Sequence, residues 1–181
     1  MKRNHLLSLL AAYHPTNDSE KQSKQTIIDF VTKNPDCFER SLEIGHITAS
    51  AWLLNKTGNH ALLLHHKKLN NWFQLGGHCD GESDVCAVAI KEAQEESGIV
   101  NIAAVSPAIF DIDVHAIPEN KKEKAHYHYD IRFLLQVTSD ETIMHNEESN
   151  ELRWIGKKRN ELPTNEPSVV RMFEKWCALQ T

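Results

Sequence analysis

One stretch constrains this chain more than any other: Gly76 to Ile99, which reads GGHCDGESDVCAVAIKEAQEESGI. It opens on a glycine turn and passes into Val85 to Ser97, a run without proline or glycine. Gly98 closes it where a helix C-cap belongs. Val85, Ala89 and Ala93 recur at i, i+4 and i+8, with Cys86 and Ile90 beside them, so a helix here has an apolar row to bury. Glu92, Glu95 and Glu96 stand at i, i+3 and i+4 and share one face. Like charges at that spacing cost a helix about 0.2–0.5 kcal/mol per pair, and late glutamates also face the negative end of the helix dipole. A helix built only for packing gains nothing from this. A hard divalent cation reverses the sign, because Mg²⁺ takes carboxylate oxygens together with substrate phosphates.

Gly77, Lys91, Glu92, Ala93, Glu95, Glu96, Gly98 and Ile99 resemble the Nudix box, G-x5-E-x7-R-E-U-x-E-E-x-G-U with U aliphatic. The spacing fits from Gly77 to Ile99, with two departures. Lys91 stands in place of the arginine, and Glu82 falls one residue early, leaving Ser83 at the expected glutamate position. The metal-binding portion, Glu92 to Glu96, is intact. The resemblance implies a Nudix fold, an α/β/α sandwich with a mixed sheet, over residues 45–181. It implies Mg²⁺ or Mn²⁺ held by Gly76 (through its carbonyl), Glu92, Glu95 and Glu96, and hydrolysis of a diphosphate linkage in a nucleoside diphosphate derivative by water attack on phosphorus. Glu92, Glu95 and Glu96 are the expected catalytic set. Gly77, Glu82, Lys91 and Gly98 are expected to shape the box, with Lys91 bracing the glycine loop through Glu82 or a neighbouring acid. A catalytically weak Nudix-fold module that binds nucleotides to regulate is the alternative.

The 181 residues suffice for one domain with a proper core and a small appendage. Hydrophobic residues at 40% and charged residues at 25% are ordinary for a globular protein. A net charge of −5 gives no reason to expect nucleic acid or an anionic membrane as partner. No apolar run is long enough to span a bilayer, and the short Leu-Leu-Ser-Leu-Leu segment reads as a helix face. Four scattered cysteines without a CxxC pair fit reduced thiols in the cytoplasm.

Residues 1–44 read as a helical appendage. Leu6, Leu7, Leu9, Leu10 and Tyr13 stripe a first helix stopped by His14-Pro15. Asn17 or Asp18 caps a second, with Ile27, Phe30 and Val31 buried and Asn34-Pro35 as its stop. Packing is the role expected of this segment, with dimerisation or pocket closure as alternatives. From Gly45 the pattern turns to strands: His46 to Leu54, Ala61 to His65, Val100 to Phe110 and Asp111 to Ile117 (interrupted by Pro107), His126 to Gln136 and Leu152 to Ile155. Pro118 to Lys124 reads as a polar mobile loop and Thr138 to Asn150 as an acidic one. Asn165 and Pro167 start a last helix with Val169, Phe173 and Trp176 inside. Pattern alone reaches α/β or α+β.

Several side chains are candidates for the substrate side. On the strand from His126, the residues His126, His128, Asp130 and Arg132 point one way. His126 and His128, with His65, Lys67, Lys68 and Arg132, are expected to contact phosphate or substrate, and Arg132 offers a bidentate grip on phosphate oxygens. Its bland alternative is an ion pair with Asp130. His65, His66, His78, His126 and His128, with Cys79, also admit a zinc reading, but HH and HxH lack the local architecture of a zinc module. Candidate general bases are Glu92, Glu147, Glu148 and Glu151. The expected partner is a small nucleotide-type molecule.

Overall fold

Burial of all ten residues of strand β1, Gly45–Leu54, sets the middle of the sheet. The computed structural model describes residues 2–120, 124–144 and 149–179. Around β1 the chain runs α1 Arg3–Ala12, α2 Asp18–Lys33, then β2 Ala61–His66, β3 Asn71–Phe73, β4 Leu75–His78 and α3 Val85–Ser97. It continues through β5 Ile102–Ala104, β6 Asp111–Ile117, β7 His126–Val137 and β8 Ser149–Ile155, and ends in α4 Pro167–Ala178. The strands hydrogen-bond in the order β3-β2-β1-β7-β5, with β4 on β1, β6 on β7 and β8 on β2. By their contacts these elements form two units, each made of three chain segments. The first is Met1–Ser50, Gly77–Ala89 and Ser106–Phe133; the second is Ala51–Gly76, Ile90–Val105 and Leu134–Thr181.

In the first unit, local chemistry ties α1 to α2. The Asn17 side chain accepts the Glu20 N–H at 2.9 Å, capping α2. The Glu20 carboxylate answers by accepting from Asn17 Nδ2, Thr16 Oγ1 and Tyr13 OH. Arg3 Nη1 donates to the Val31 and Thr32 carbonyls at the far end of α2. Leu6, Leu10, Ile27 and Val31 are fully buried. Phe30 of α2 stacks on Tyr129 of β7, with ring centroids 3.8 Å apart. The opposite, polar row of β7 pairs with β6 in the register His115↔His128, Asp113↔Asp130 and Asp111↔Arg132. At Gly45 a Cβ would collide with the Tyr127 carbonyl, so only glycine admits the approach of Tyr127 N–H to the Ile44 carbonyl beside it.

The second unit is built on β2, whose Ala61–Leu64 are buried. It pairs with β8 (Leu62↔Trp154, Leu64↔Leu152), β3 (His65↔Trp72) and the end of β1 (Leu53↔Leu62). Helix α4 buries Val169, Met172, Phe173 and Trp176, and Trp176 lies 6.0 Å from the Trp52 ring. β8 starts at Ser149, so the expected acidic loop ends earlier than its composition suggests. Of the expected Pro118 to Lys124 loop, residues 121–123 lie outside the described residues, while Lys124 pairs with Glu43. No helix among the described residues is long and apolar enough to cross a membrane.

Helix α3 is fixed at both ends. Asp84 Oδ1 accepts the Ala87 N–H at its start. At its end Gly98 takes φ +73° and donates to the Gln94 carbonyl, while the Met144 N–H reaches the Ser97 carbonyl. A Cβ on Gly98 would sit 2.6 Å from the Met144 Cβ. Gly98→Ala therefore meets both a left-handed backbone and a collision, for about 2 kcal/mol. We expect a thermal midpoint lower by about 4–8 °C, and an unchanged midpoint contradicts this account of the cap.

Candidate active site

The α3 glutamates divide by exposure. Glu92 keeps 16% of its side chain exposed and Glu95 59%. Glu96 is half-buried, and its Oε2 accepts the Gly76 N–H at 2.8 Å. Glu92 and Glu96, at i and i+4, are thus the sheltered pair, and Glu95 lies further out. Lys91 Nζ sits 3.5 Å from Glu95 and 3.7 Å from Glu92, and the two carboxylates, Glu92 foremost, push its pKa up. The expected glycine turn is strand β4, and half-buried carboxylates beside its Gly76 form an all-oxygen donor set, which fits a hard cation such as Mg²⁺ or Mn²⁺.

The displaced Glu82 has a local job. Its Oε1 accepts the Ser83 and Asp84 N–H groups at 2.6 and 2.9 Å, and these bonds, that from Asp84 foremost, hold its carboxyl below the usual range. The ion pairs of Lys91 go to its helix neighbours. A different brace holds the loop after Gly77. Arg40 binds Asp80 in a bidentate pair at 2.5 and 2.6 Å, and the Gly81 N–H donates to the Phe38 carbonyl. Arg40 escaped the sequence reading, because a contact across forty residues leaves no spacing signal.

Arg132 corrects an expectation. Its side chain is 1% exposed and lies among three acids: Asp130 Oδ2 at 2.7 Å, Asp111 Oδ2 at 3.0 Å and Asp113 Oδ2 at 3.5 Å. Burial works against its charge, but Asp130, Asp111 and Asp113 outweigh that and raise its pKa. A guanidinium so enclosed is a structural hub; it cannot grip a phosphate from solvent. Asp130 also accepts from Thr48 and Ser50 of β1.

His126 is also occupied. Its Nδ1 donates to the Lys124 carbonyl at 2.8 Å, which leaves Nε2 as acceptor, 3.2 Å from His128 Nε2. With both ring nitrogens engaged and 7% exposure, His126 is a poor substrate contact, contrary to expectation. His128 joins His46 and His78 in a group whose ligating atoms all lie within 4.8 Å of one another. His115, held by Asp113 Oδ2 at 3.2 Å, has its ring centroid 5.4 Å from that of His128. Burial first, then His78, His115, His46 and His126, push the His128 pKa down to about 2. His46 and His115 lie in strands that the sequence shows, but nothing in it marks them as site residues. Strand alternation puts them on faces, but cross-strand register alone brings them together.

In the second unit, Asn150 Nδ2 donates to His65 Nδ1 at 3.2 Å, and the His65 ring lies 5.1 Å from Trp72. Lys67 and Lys68 are exposed in the β2–β3 turn, where His66 Nδ1 accepts the Lys68 and Leu69 N–H groups. Arg153 stacks over Trp72 at 4.5 Å and holds Glu151 Oε1 through Nη2 at 2.8 Å. Glu151 therefore sits on a strand, not in a loop. Glu147 and Glu148 lie outside the described residues.

Two outcomes follow. Arg132→Met leaves three acids without their shared cation and should cost about 3–5 kcal/mol in urea unfolding, whereas a loss below about 1 kcal/mol contradicts the hub. The folded-state pKa of His128 lies below the unfolded value of about 6.5, so its unfolding takes up a proton as pH falls through that window. Stability should drop below about pH 6.5 by up to about 1.4 kcal/mol per pH unit, and His128→Gln should flatten that slope. Equal slopes in the two proteins between about pH 4 and 6.5 refute it.

The family model for the NUDIX domain matches residues 45–177. No curated protein matches the chain. A NUDIX family hydrolase from Clostridium perfringens is 26% identical, with a TM-score of 0.53, over 75% of this chain and 98% of its own. An Ap4A hydrolase from C. elegans aligns with a TM-score of 0.58 at 17% identity, over 73% of this chain and 95% of its own. A MutT NUDIX hydrolase from Burkholderia pseudomallei aligns at 0.55 and 18%, over 72% and 97%. The α/β fold with a mixed sheet is thus the one that the box implied. With a match that runs from the first residue of β1 into the last turn of α4, this chain belongs to the Nudix family and is a Nudix pyrophosphohydrolase, of a family that acts on pyrophosphate bonds of nucleotide derivatives.

Proposed function

We propose that this protein hydrolyses a diphosphate linkage in a nucleoside diphosphate derivative, with Mg²⁺ or Mn²⁺ held by Glu92, Glu95, Glu96 and the Gly76 carbonyl. The observation that carries the reading is the 2.8 Å bond from the Gly76 N–H to Glu96, which ties β4 to the acidic face of α3. A bound cation of this kind offsets phosphate charge and lowers the pKa of a water. The remaining work belongs to the chain. Glu92, sheltered and one turn from Glu96, takes the proton of the attacking water. Glu151 is tied to Arg153, which favours Glu92 for that task. A new P–O bond forms as the bridging P–O bond breaks, and its electron pair leaves with the bridging oxygen on the departing phosphate group. On the substrate side, His65 and the exposed Lys67 remain the candidates for the distal part of the molecule. Residues 45–181 are the hydrolase domain in this reading, and residues 1–44 its appendage.

The test is a screen of dinucleotides, nucleotide sugars, nucleoside triphosphates and capped RNA with Mg²⁺, scored for phosphate-containing products. EDTA should abolish turnover and added Mg²⁺ restore it. Glu96→Gln keeps size but removes a charge near the reacting phosphate, and should lower kcat by roughly 10²–10³-fold. Full turnover in chelator sinks the proposal. Nucleotide binding without turnover under any metal favours the regulatory alternative.

A further inference from the structure

The reaction proposed above leaves one group of side chains unused. His46 of β1, His78 at the end of β4 and His128 of β7 come from three strands of the first unit. Their ring centroids form a near-equilateral triangle of 4.9, 4.8 and 5.0 Å. Each offers a ring nitrogen, and those atoms lie within 4.8 Å of one another. Tetrahedral coordination with Zn–N bonds of about 2.0–2.1 Å sets neighbouring nitrogens about 3.4 Å apart, so side-chain rotations of an ångström or so close the triangle.

Two further features belong to a built site. His46 is 3% exposed, and the rings of His78, His126 and His128 stand around it with centroids 4.9, 5.0 and 4.8 Å away. Behind His128 stands His126, whose Nε2 meets the His128 ring while its Nδ1 is tied to the Lys124 carbonyl. That chain of contacts, imidazole to imidazole to backbone carbonyl, orients a ring as the outer layer of a metal site does.

We propose that His46, His78 and His128 form a second metal site, sharing no residue with the α3 carboxylates, that takes a borderline divalent transition cation of the Zn²⁺ class. Nitrogen donors alone are a poor match for Mg²⁺, which prefers oxygen, and a good one for Zn²⁺. Three protein ligands leave a fourth position for water or a ligand oxygen. The bound ion joins β1, β4 and β7, so it stabilises the fold as well as adding a charge to this face.

The test uses the full chain, stripped with a chelator and then given Zn²⁺ alone. Competition against a chromophoric chelator should show one tight equivalent, and the thermal midpoint should rise when Zn²⁺ is added. Co²⁺ in its place should give the intense visible bands of a low-coordinate nitrogen site. His78→Gln and His128→Gln should each weaken Zn²⁺ by at least about tenfold, while Glu96→Gln keeps it. Both histidines are half-buried, and circular dichroism checks that each variant is folded; a variant that does not fold is replaced by the corresponding asparagine. The proposal is overturned if the wild type holds no tight equivalent, if both folded histidine variants bind as the wild type does, or if Glu96→Gln alone abolishes binding. Mg²⁺-dependent turnover is read separately, so the hydrolytic reading stands or falls on its own.

Discussion

The hydrogen bond from the Gly76 amide to the Glu96 carboxylate couples a strand end to the last turn of a helix, and the hydrolytic reading depends on that coupling. A charge-assisted bond of 2.8 Å to a half-buried carboxylate holds the acid in place before any cation arrives. Helix α3 can bear the load because each of its ends is closed, by Asp84 at the start and by Gly98 with Met144 at the finish. The repulsion among Glu92, Glu95 and Glu96 is eased on the outer side by Lys91. Lysine is a point charge on a flexible stem, so this easing is salt-sensitive in a way that a planar arginine fork would resist.

The polar face of the first unit follows a different logic. Three aspartates around one buried guanidinium form an assembly that is costly to desolvate and more costly to break. Thr48 and Ser50 supply the neutral donors that complete Asp130, so the cluster links β1, β6 and β7 through side chains as well as backbone. Further along the same face the ionic residues give way to imidazoles, which pack ring to ring, and burial among them pushes the His128 pKa down. One strand face thus changes from ion pairs to packed imidazole rings within the span of Arg132 to His126.

What the sequence revealed was what depends on near neighbours. The helix α3, its glycine cap, the Asn17 cap of α2 and the apolar side of α4 all rest on residues within a few positions of one another, and they read correctly. The sequence shows only the Leu152–Ile155 part of β8, since Glu151 carries charge yet its backbone pairs with His65 of β2. Arg132, His126 and His128 share the face that strand alternation gives them; Arg132 takes the alternative named for it, the ion pair with Asp130, instead of a phosphate. Their fate depended on β6 and β1 register, which no periodicity records. Arg40 with Asp80, and His46 with His78, are contacts of the same kind. The box itself is a local motif and was legible; what encloses it is not local.

The two units draw on alternating pieces of the chain, and that has a consequence for the order in which the protein can form during synthesis. The first unit has all its segments once Phe133 has been made. The second cannot close until Leu134 onward is available, although Ala51–Gly76 and Ile90–Val105 were made long before. Through that interval the apolar run Ala61–Leu64 lacks the β8 partner that later covers one edge. A ribosome-bound chain therefore carries an open strand edge through that interval, a state in which nascent proteins can pair with the wrong strand.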